Sequence, residues 1–231
     1  MEPPGDRLIH SYGRRRGRRL RPGRAALLAE VLPKIAIAAP AAGRKLDLAA
    51  LFGGGRAAVW LEIGFGGGEH LATQAAAHPG IGFIGCEPYV NGMAALLVRV
   101  AERQLANLRV WPDDARALIP ALPDAALARV FVLFPDPWPK KRHHKRRLIT
   151  REFLDALARV MAPGGELRIA TDDPGYLEWI VERAAAHPAF VSLTRGPEDW
   201  RARPADWPAT RYEEKAIAAG RRPAYLGFRR R

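Results

Sequence analysis

Residues 61–69 read Leu61-Glu62-Ile63-Gly64-Phe65-Gly66-Gly67-Gly68-Glu69, and what stands on either side of them decides the fold. To the left, Val59–Ile63 is a short apolar run of strand character; to the right, Glu69–Ala77 has helical composition. A strand, a glycine turn and a helix make the first half of a βαβ unit, and glycines let such a turn tighten and a ligand approach its backbone. The pattern continues outward. Strands expected at Ile81–Cys86, Leu108–Trp111, Val130–Phe134 and Glu166–Thr171 alternate with helices at Gly92–Leu105, near Ala115–Ala121, at Arg151–Met161 and at Tyr176–Ala186. Phe190–Leu193 and Tyr225–Arg229 read as late strands, and Ala25–Ile37 as helical but interrupted at Pro33. Such alternation predicts a doubly wound α/β domain, a mostly parallel sheet with helices on both faces.

Ligands of these sheets bind beyond the carboxyl ends of the strands, so the residues there are the candidates for chemistry. A dinucleotide-binding turn needs glycine at 69, where Glu69 stands instead. Glu62 and Glu69 would both repel a pyrophosphate, which argues against a nicotinamide-dependent oxidoreductase. A turn with acids at both ends suits a ligand that has no phosphates and is positively charged. S-adenosylmethionine, with its sulfonium and ammonium, meets that description. Glu87 ends the second strand, where an acid bonds ribose hydroxyls. Asp113 and Asp114 follow the third, where an acid can accept from an adenine amino group or simply cap a helix. The fourth strand delivers Phe134-Pro135-Asp136-Pro137-Trp138-Pro139-Lys140, a stiff loop with an acid and an aromatic face. Thr171-Asp172-Asp173-Pro174 ends the fifth. Thr210-Arg211-Tyr212-Glu213-Glu214-Lys215, read alone, is an ordinary polar helix surface.

Charge is distributed unevenly along the 231 residues, whose formal net charge is +13. Eight arginines fall in residues 1–24, seven lysines or arginines in residues 140–151, and ten basic side chains in residues 195–231. The remainder has a net charge of −5. An acidic body with three basic segments points to a polyanion held along several contacts, nucleic acid before membrane, because the basic runs lack an apolar stripe. No run of apolar residues reaches membrane-spanning length, and the basic start has no apolar core of a secretory signal. A single cysteine, Cys86, supplies neither an internal disulfide nor a multi-cysteine metal site. These features predict a cytoplasmic chain that binds no metal and no membrane. Residues 1–24 are expected to be a basic, flexible arm, and residues 25–231 a single domain that opens with a helix.

Taken together, LEIGFGGGEHLA, GCEP, FPDPWPKKRHHKRR, ATDD and TRYEEK, with the arm GRRRGRRLRPGR, resemble the bacterial tRNA (guanine-N(7)-)-methyltransferase family. The resemblance runs from about Arg14 to the end. It implies a Rossmann-like class I S-adenosylmethionine-dependent methyltransferase that modifies a guanosine of the tRNA variable loop, with no obligate protein partner. It further implies that Glu62, Gly64, Gly66, Glu87, Asp114 and Asp136 contact the methyl donor, with Asp136 also catalytic. Lys140, Asp172, Thr210, Arg211, Tyr212 and Glu213 match its substrate-binding positions, and Arg142, His143, His144, Lys145, Arg146 and Arg147 its RNA-contacting stretch. An adenine-amino methyltransferase is the nearest rival. Its loop often places a second proline after the first, where Trp138 stands here. A non-catalytic RNA-binding module would explain the basic runs but not the ordered acids.

Overall fold

Side chains alternate faces along a strand, and that period of two sorts the apolar residues of this chain into two cores. The computed structural model describes residues 12–194 and 196–231; residues 1–11 of the expected arm, and Arg195, lie outside the described residues. Helices α1 (Pro22–Glu30), α2 (Leu32–Ile35) and α3 (Leu48–Leu51) lead into β1 (Ala58–Ile63). Then come α4 (Glu69–Ala77), β2 (Ile81–Cys86), α5 (Val90–Arg103), β3 (Leu108–Trp111), α6 (Ala115–Leu118) and β4 (Leu127–Leu133). The second half is α7 (Arg151–Val160), β5 (Met161–Thr171), α8 (Pro174–Ala185), β6 (Phe190–Ser192), α9 (Arg211–Ala218) and β7 (Ala224–Arg230).

Leu61 and Ile63 of β1 share one face with Val130 and Val132 of β4, beneath Leu118 of α6, Leu154 and Leu157 of α7 and Ile180 of α8. Trp60 and Phe131 turn to the opposite face and meet Leu71 and Ala72 of α4 and Leu96 and Leu97 of α5. In α7 the buried positions Phe153, Leu154, Leu157 and Ala158 recur at helical spacing, and Thr150 caps the helix by accepting from the Phe153 amide at 3.2 Å. Each fully buried leucine stabilises the fold by about 1.5–3 kcal/mol relative to an exposed one. No described helix is long and apolar enough to cross a membrane.

Strand order is β3-β2-β1-β4-β5-β7-β6. β1 to β5 are mutually parallel, and β7 runs antiparallel to both β5 and β6. Order reverses between β1 and β4, so the crevice of the sheet opens beyond Ile63 and Leu133. One detail of the pairing differs from expectation. Pairing of β5 begins at Met161 opposite Leu127 rather than at Glu166, with a register shift where Pro163-Gly164-Gly165 bulges and Gly164 takes φ +80°. α9 is a full helix with a capping box, Thr210 at its N-cap and Glu213 at the third position.

Candidate active site

At the crevice a cavity of about 310 Å³ is lined by residues from four strand ends, among them Gly64 after β1, Glu87 after β2, Asp114 after β3 and Asp136 after β4. Gly64 and Gly66 have φ +72° and +55°, and a Cβ on Gly92 at the start of α5 would lie 2.3 Å from the Gly66 carbonyl oxygen. Backbone against backbone is what holds the turn in place.

Four carboxylates surround this turn in different states. Glu87 accepts from the Gly66 amide at 2.7 Å and the Tyr89 amide at 2.9 Å, which ties the end of β2 to the glycine turn. Burial raises its pKa, the two backbone bonds work against that, and the charges of Asp136 and Glu62 add to the rise. Asp114 caps α6 and is gripped by Arg116, with Nε at 3.0 Å from Oδ1 and Nη2 at 2.7 Å from Oδ2. Burial opposes its ionisation, but the Arg116 bonds prevail and its pKa falls. Of the neighbouring acids, Asp114 lines the cavity, while Asp113 turns outward to Arg15 at 2.7 Å. Asp136 makes no hydrogen bond or ion pair among the described residues, and desolvation by the surrounding walls raises its pKa. Glu62 is buried and does not line the cavity; its Oε2 accepts from His70 Nδ1 at 2.7 Å.

The loop that holds Asp136 is strained on both sides, since Phe134 and Trp138 have φ +53° and +45°. Non-glycine residues in that region cost about 1–3 kcal/mol each and persist only where surroundings enforce them. Part of the enforcement is Arg147. This side chain was expected to face RNA, but it is 4% exposed, donates from Nε to the Pro137 carbonyl at 2.8 Å and from Nη1 to Gly175 at 3.2 Å, and lies over the rings of Tyr176 and Trp179. Its chemistry is spent on pinning the loop to α8. Arg147→Ala should therefore lower stability by about 3 kcal/mol through lost packing and bonds. Urea midpoints measure this, and an unchanged midpoint would return Arg147 to the RNA-facing set.

The rest of the basic segment, a 3-10 turn over Lys141–Arg146, is more open. Lys140, Lys141, Arg142 and Lys145 are exposed, and His143 and His144 half-buried. Desolvation, then Arg146, Arg142, Lys140 and Lys145, lower the pKa of His143. Arg146 turns toward the cavity, its Cζ 4.6 Å from the Tyr12 ring centroid and 4.9 Å from that of Trp138.

Tyr12, Gly13 and Arg14 also line the cavity, so the described part of the arm is one of its walls. Arg15 accepts from the Val90 amide at 3.0 Å, and Asn91 takes the Gly17 amide at 2.8 Å and gives to the Arg18 carbonyl at 2.7 Å. Nothing in an Arg-, Gly- and Pro-rich stretch signals such docking. Its partner Asn91 stands in a helix with no motif to single it out.

A second cavity of about 440 Å³ is lined by Pro137, the chain neighbour of Asp136, and by Asp172, Tyr212 and Arg221. Asp172 is buried, with Arg221 Nη1 2.9 Å from Oδ2 and the Tyr212 hydroxyl donating to Oδ1 at 3.4 Å. Tyr212 also packs 5.2 Å from Phe134, ring centroid to centroid. The reversal of β7 produces this meeting: the segment that enters β7 lies where β5 ends. Within the TRYE stretch, Arg211 and Tyr212 are exposed, whereas Thr210 and Glu213 hold the first turn of α9. Glu213 is buried between the Tyr225 hydroxyl, which donates to it, and Arg203 Nε at 3.2 Å. Lone Cys86 is also buried, and burial followed by Asp114 and Glu87 raises its thiol pKa well above the usual range, which removes it as a nucleophile.

The family described as "Putative methyltransferase" matches residues 56–225. The chain is 54% identical over 222 residues to the tRNA (guanine-N(7)-)-methyltransferase of Rhodospirillum rubrum, covering 95% of this chain and 87% of that protein. It is 53% identical to the protein of the same name from Paramagnetospirillum magneticum, covering 95% and 92%. The chain belongs to the tRNA (guanine-N(7)-)-methyltransferase family. Solved structures add the fold alone. The 16S rRNA methyltransferase KamB superposes with TM-score 0.54 at 18% identity, covering 76% of this chain and 89% of that one. The 16S rRNA (adenine(1408)-N(1))-methyltransferase from Catenulisporales acidiphilia gives 0.53 at 20%, covering 82% and 97%. The sheet is the Rossmann-like sheet of class I methyltransferases, and S-adenosylmethionine is the methyl donor of this tRNA (guanine-N(7)-)-methyltransferase family member. Its cavity fits that donor: Asp136, Glu87 and Asp114 offer it carboxylates, and Asp136 has no hydrogen-bond or ion-pair partner among the described residues.

Proposed function

We propose that the chain transfers a methyl group from S-adenosylmethionine to N7 of a guanosine in the variable loop of tRNA. One observation supports this most: the Asp136 carboxylate, without a hydrogen bond or ion pair among the described residues, lines the crevice cavity, next in the chain to Pro137 of the second cavity and shortly before an exposed basic turn. When bound, the donor supplies an electrophilic methyl on a sulfonium. Glu87 is placed for ribose hydroxyls and Asp114 for an adenine amino group, with Gly64 and Gly66 letting the ligand approach the backbone.

Guanine N7 has a free lone pair, so no side chain has to remove a proton before attack. The task of the protein is positioning. Asp136 and Asp172 accept from guanine N–H groups and offset the positive charge that develops on the base. Trp138 offers a face to a base splayed from its loop, and Tyr212 bounds the second cavity where the nucleotide enters, with exposed Arg211 beside it in the chain. Lys140, Arg142 and Lys145 hold backbone phosphates. On this reading the enzyme acts in the cytoplasm, on tRNA, with neither a metal nor an obligate protein partner. Incubation with labelled S-adenosylmethionine and unmodified tRNA, followed by nucleoside analysis, should yield 7-methylguanosine from the variable loop. Label in adenosine, or no transfer, would overturn the reading.

A further inference from the structure

Behind the glycine turn runs a buried polar relay that the reaction as described leaves without a role. Glu62 closes β1 on the face covered by α4, and it is 4% exposed. Its Oε2 is 2.7 Å from His70 Nδ1, and His70 is 1% exposed, its ring 4.7 Å from that of Phe131. One turn further along α4, Gln74 Nε2 lies 3.5 Å from His70 Nε2 and donates to the Asp206 carbonyl at 2.6 Å.

These contacts determine the proton on the imidazole. A carbonyl only accepts, so the atom of Gln74 that faces Asp206 must be its NH2 nitrogen. That same nitrogen faces His70 Nε2, which must then offer a lone pair. Nδ1 therefore holds the proton and gives it to Glu62, which as a carboxylate can only accept. Gln74 thus selects one neutral tautomer, and the tautomer fixes one oxygen of Glu62. No hydrogen bond occupies Oε1 among the described residues. The charge of Glu62 is felt in the cavity, where it helps to raise the pKa of Glu87.

We propose that His70, held as the neutral Nδ1–H tautomer by Gln74, is a positioning residue that orients Glu62 as a full carboxylate toward the positively charged methionyl end of the donor. The inference rests on the reading of the crevice cavity as the S-adenosylmethionine site. It distinguishes the two ends of the ligand: the adenosine end depends on Glu87 and Asp114, and the methionyl end on this relay. An imidazolium in the same place would give Glu62 a paired countercharge and leave a buried N–H pointed at a donor, which the packing here avoids.

The test compares S-adenosylmethionine with 5′-methylthioadenosine, which lacks both the sulfonium and the amino-acid portion, by calorimetric titration. His70→Leu should weaken S-adenosylmethionine about tenfold, leave methylthioadenosine unchanged, and raise the KM for the donor with little change in kcat. His70→Asn, whose amide can stand where Nδ1 stands, should recover most of the loss. Equal weakening of both ligands, or of neither, would overturn the proposal. If the leucine variant does not fold, nitrogen-15 spectra of the wild type decide: a neutral ring protonated at Nδ1 supports the relay, and an Nε2–H tautomer or an imidazolium rejects it. Wild-type protein that binds neither ligand would refute the donor site itself rather than the relay.

Discussion

Asp136→Ala is expected to lower methyl transfer by about 10²–10³-fold, the cost of removing one preorganised group that faces developing charge. Binding of tRNA should stay nearly intact, because Asp136 holds no phosphate and makes no contact that orders the basic turn. Single-turnover rates and filter binding on the same preparation separate the two quantities; a large loss of affinity would show that Asp136 organises the loop instead. Asp136→Asn adds a test of electrostatics. Desolvation raises the folded-state pKa of this carboxyl above its unfolded value. A raised acid contributes stability that is complete below the unfolded pKa and is lost as pH rises through the folded one. Asparagine should therefore melt above wild type near neutral pH, with the gain fading toward about pH 4, where unfolded aspartate protonates. A variant that is more stable and inactive would mark the strain of this loop and the desolvation of its carboxyl as maintained for chemistry.

The second large effect concerns RNA. Arg142→Ala with Lys145→Ala should weaken tRNA binding by about tenfold or more and flatten its salt dependence by about 1.4–1.8 in log–log slope, the loss of two phosphate contacts. Both side chains are exposed, so the fold should be untouched. Arg146 is set apart from this pair because its guanidinium lies between Tyr12 and Trp138, facing the cavity. Binding curves across a salt series measure the slope. An unchanged slope would place the phosphate path elsewhere on the surface.

Much of the donor half was legible in the sequence, because strand ends in a doubly wound sheet are positions that periodicity locates. Gly64, Glu87 and the Asp113-Asp114 pair follow from counting strands, and the structure brings Gly64, Glu87 and Asp114 to one cavity. The arrangement of side chains around them was not legible. Period two places Glu62 opposite Ile63 in facing, but the sequence gives no sign that His70, eight residues on, bonds its carboxylate. Within the basic run, Arg147 and Arg142 are alike in composition, but only Arg147 has carbonyls and aromatic rings around it. Nor could the sequence separate Asp113 from Asp114, since that choice depends on Arg15, 98 residues away along the chain. The polar stretch Arg211–Lys215 gave no sign that an antiparallel last strand would set it beside Asp172.

That last strand has a consequence for synthesis. β6 pairs only with β7, and β7 lies between β6 and β5. When the ribosome has made β6, the strand has no neighbour to join, and the free edge of β5 stays open until Ala224–Arg230 emerges. At about 5–20 residues per second, that interval lasts several seconds. All the strands of the parallel half, β1 to β5, are made before β7, so the strand ends that supply Glu87 and Asp114 are synthesised before Tyr212. A nascent chain stalled there leaves open the two strand edges that β7 later joins, and its need for chaperone protection should last until Ala224–Arg230 pairs with them.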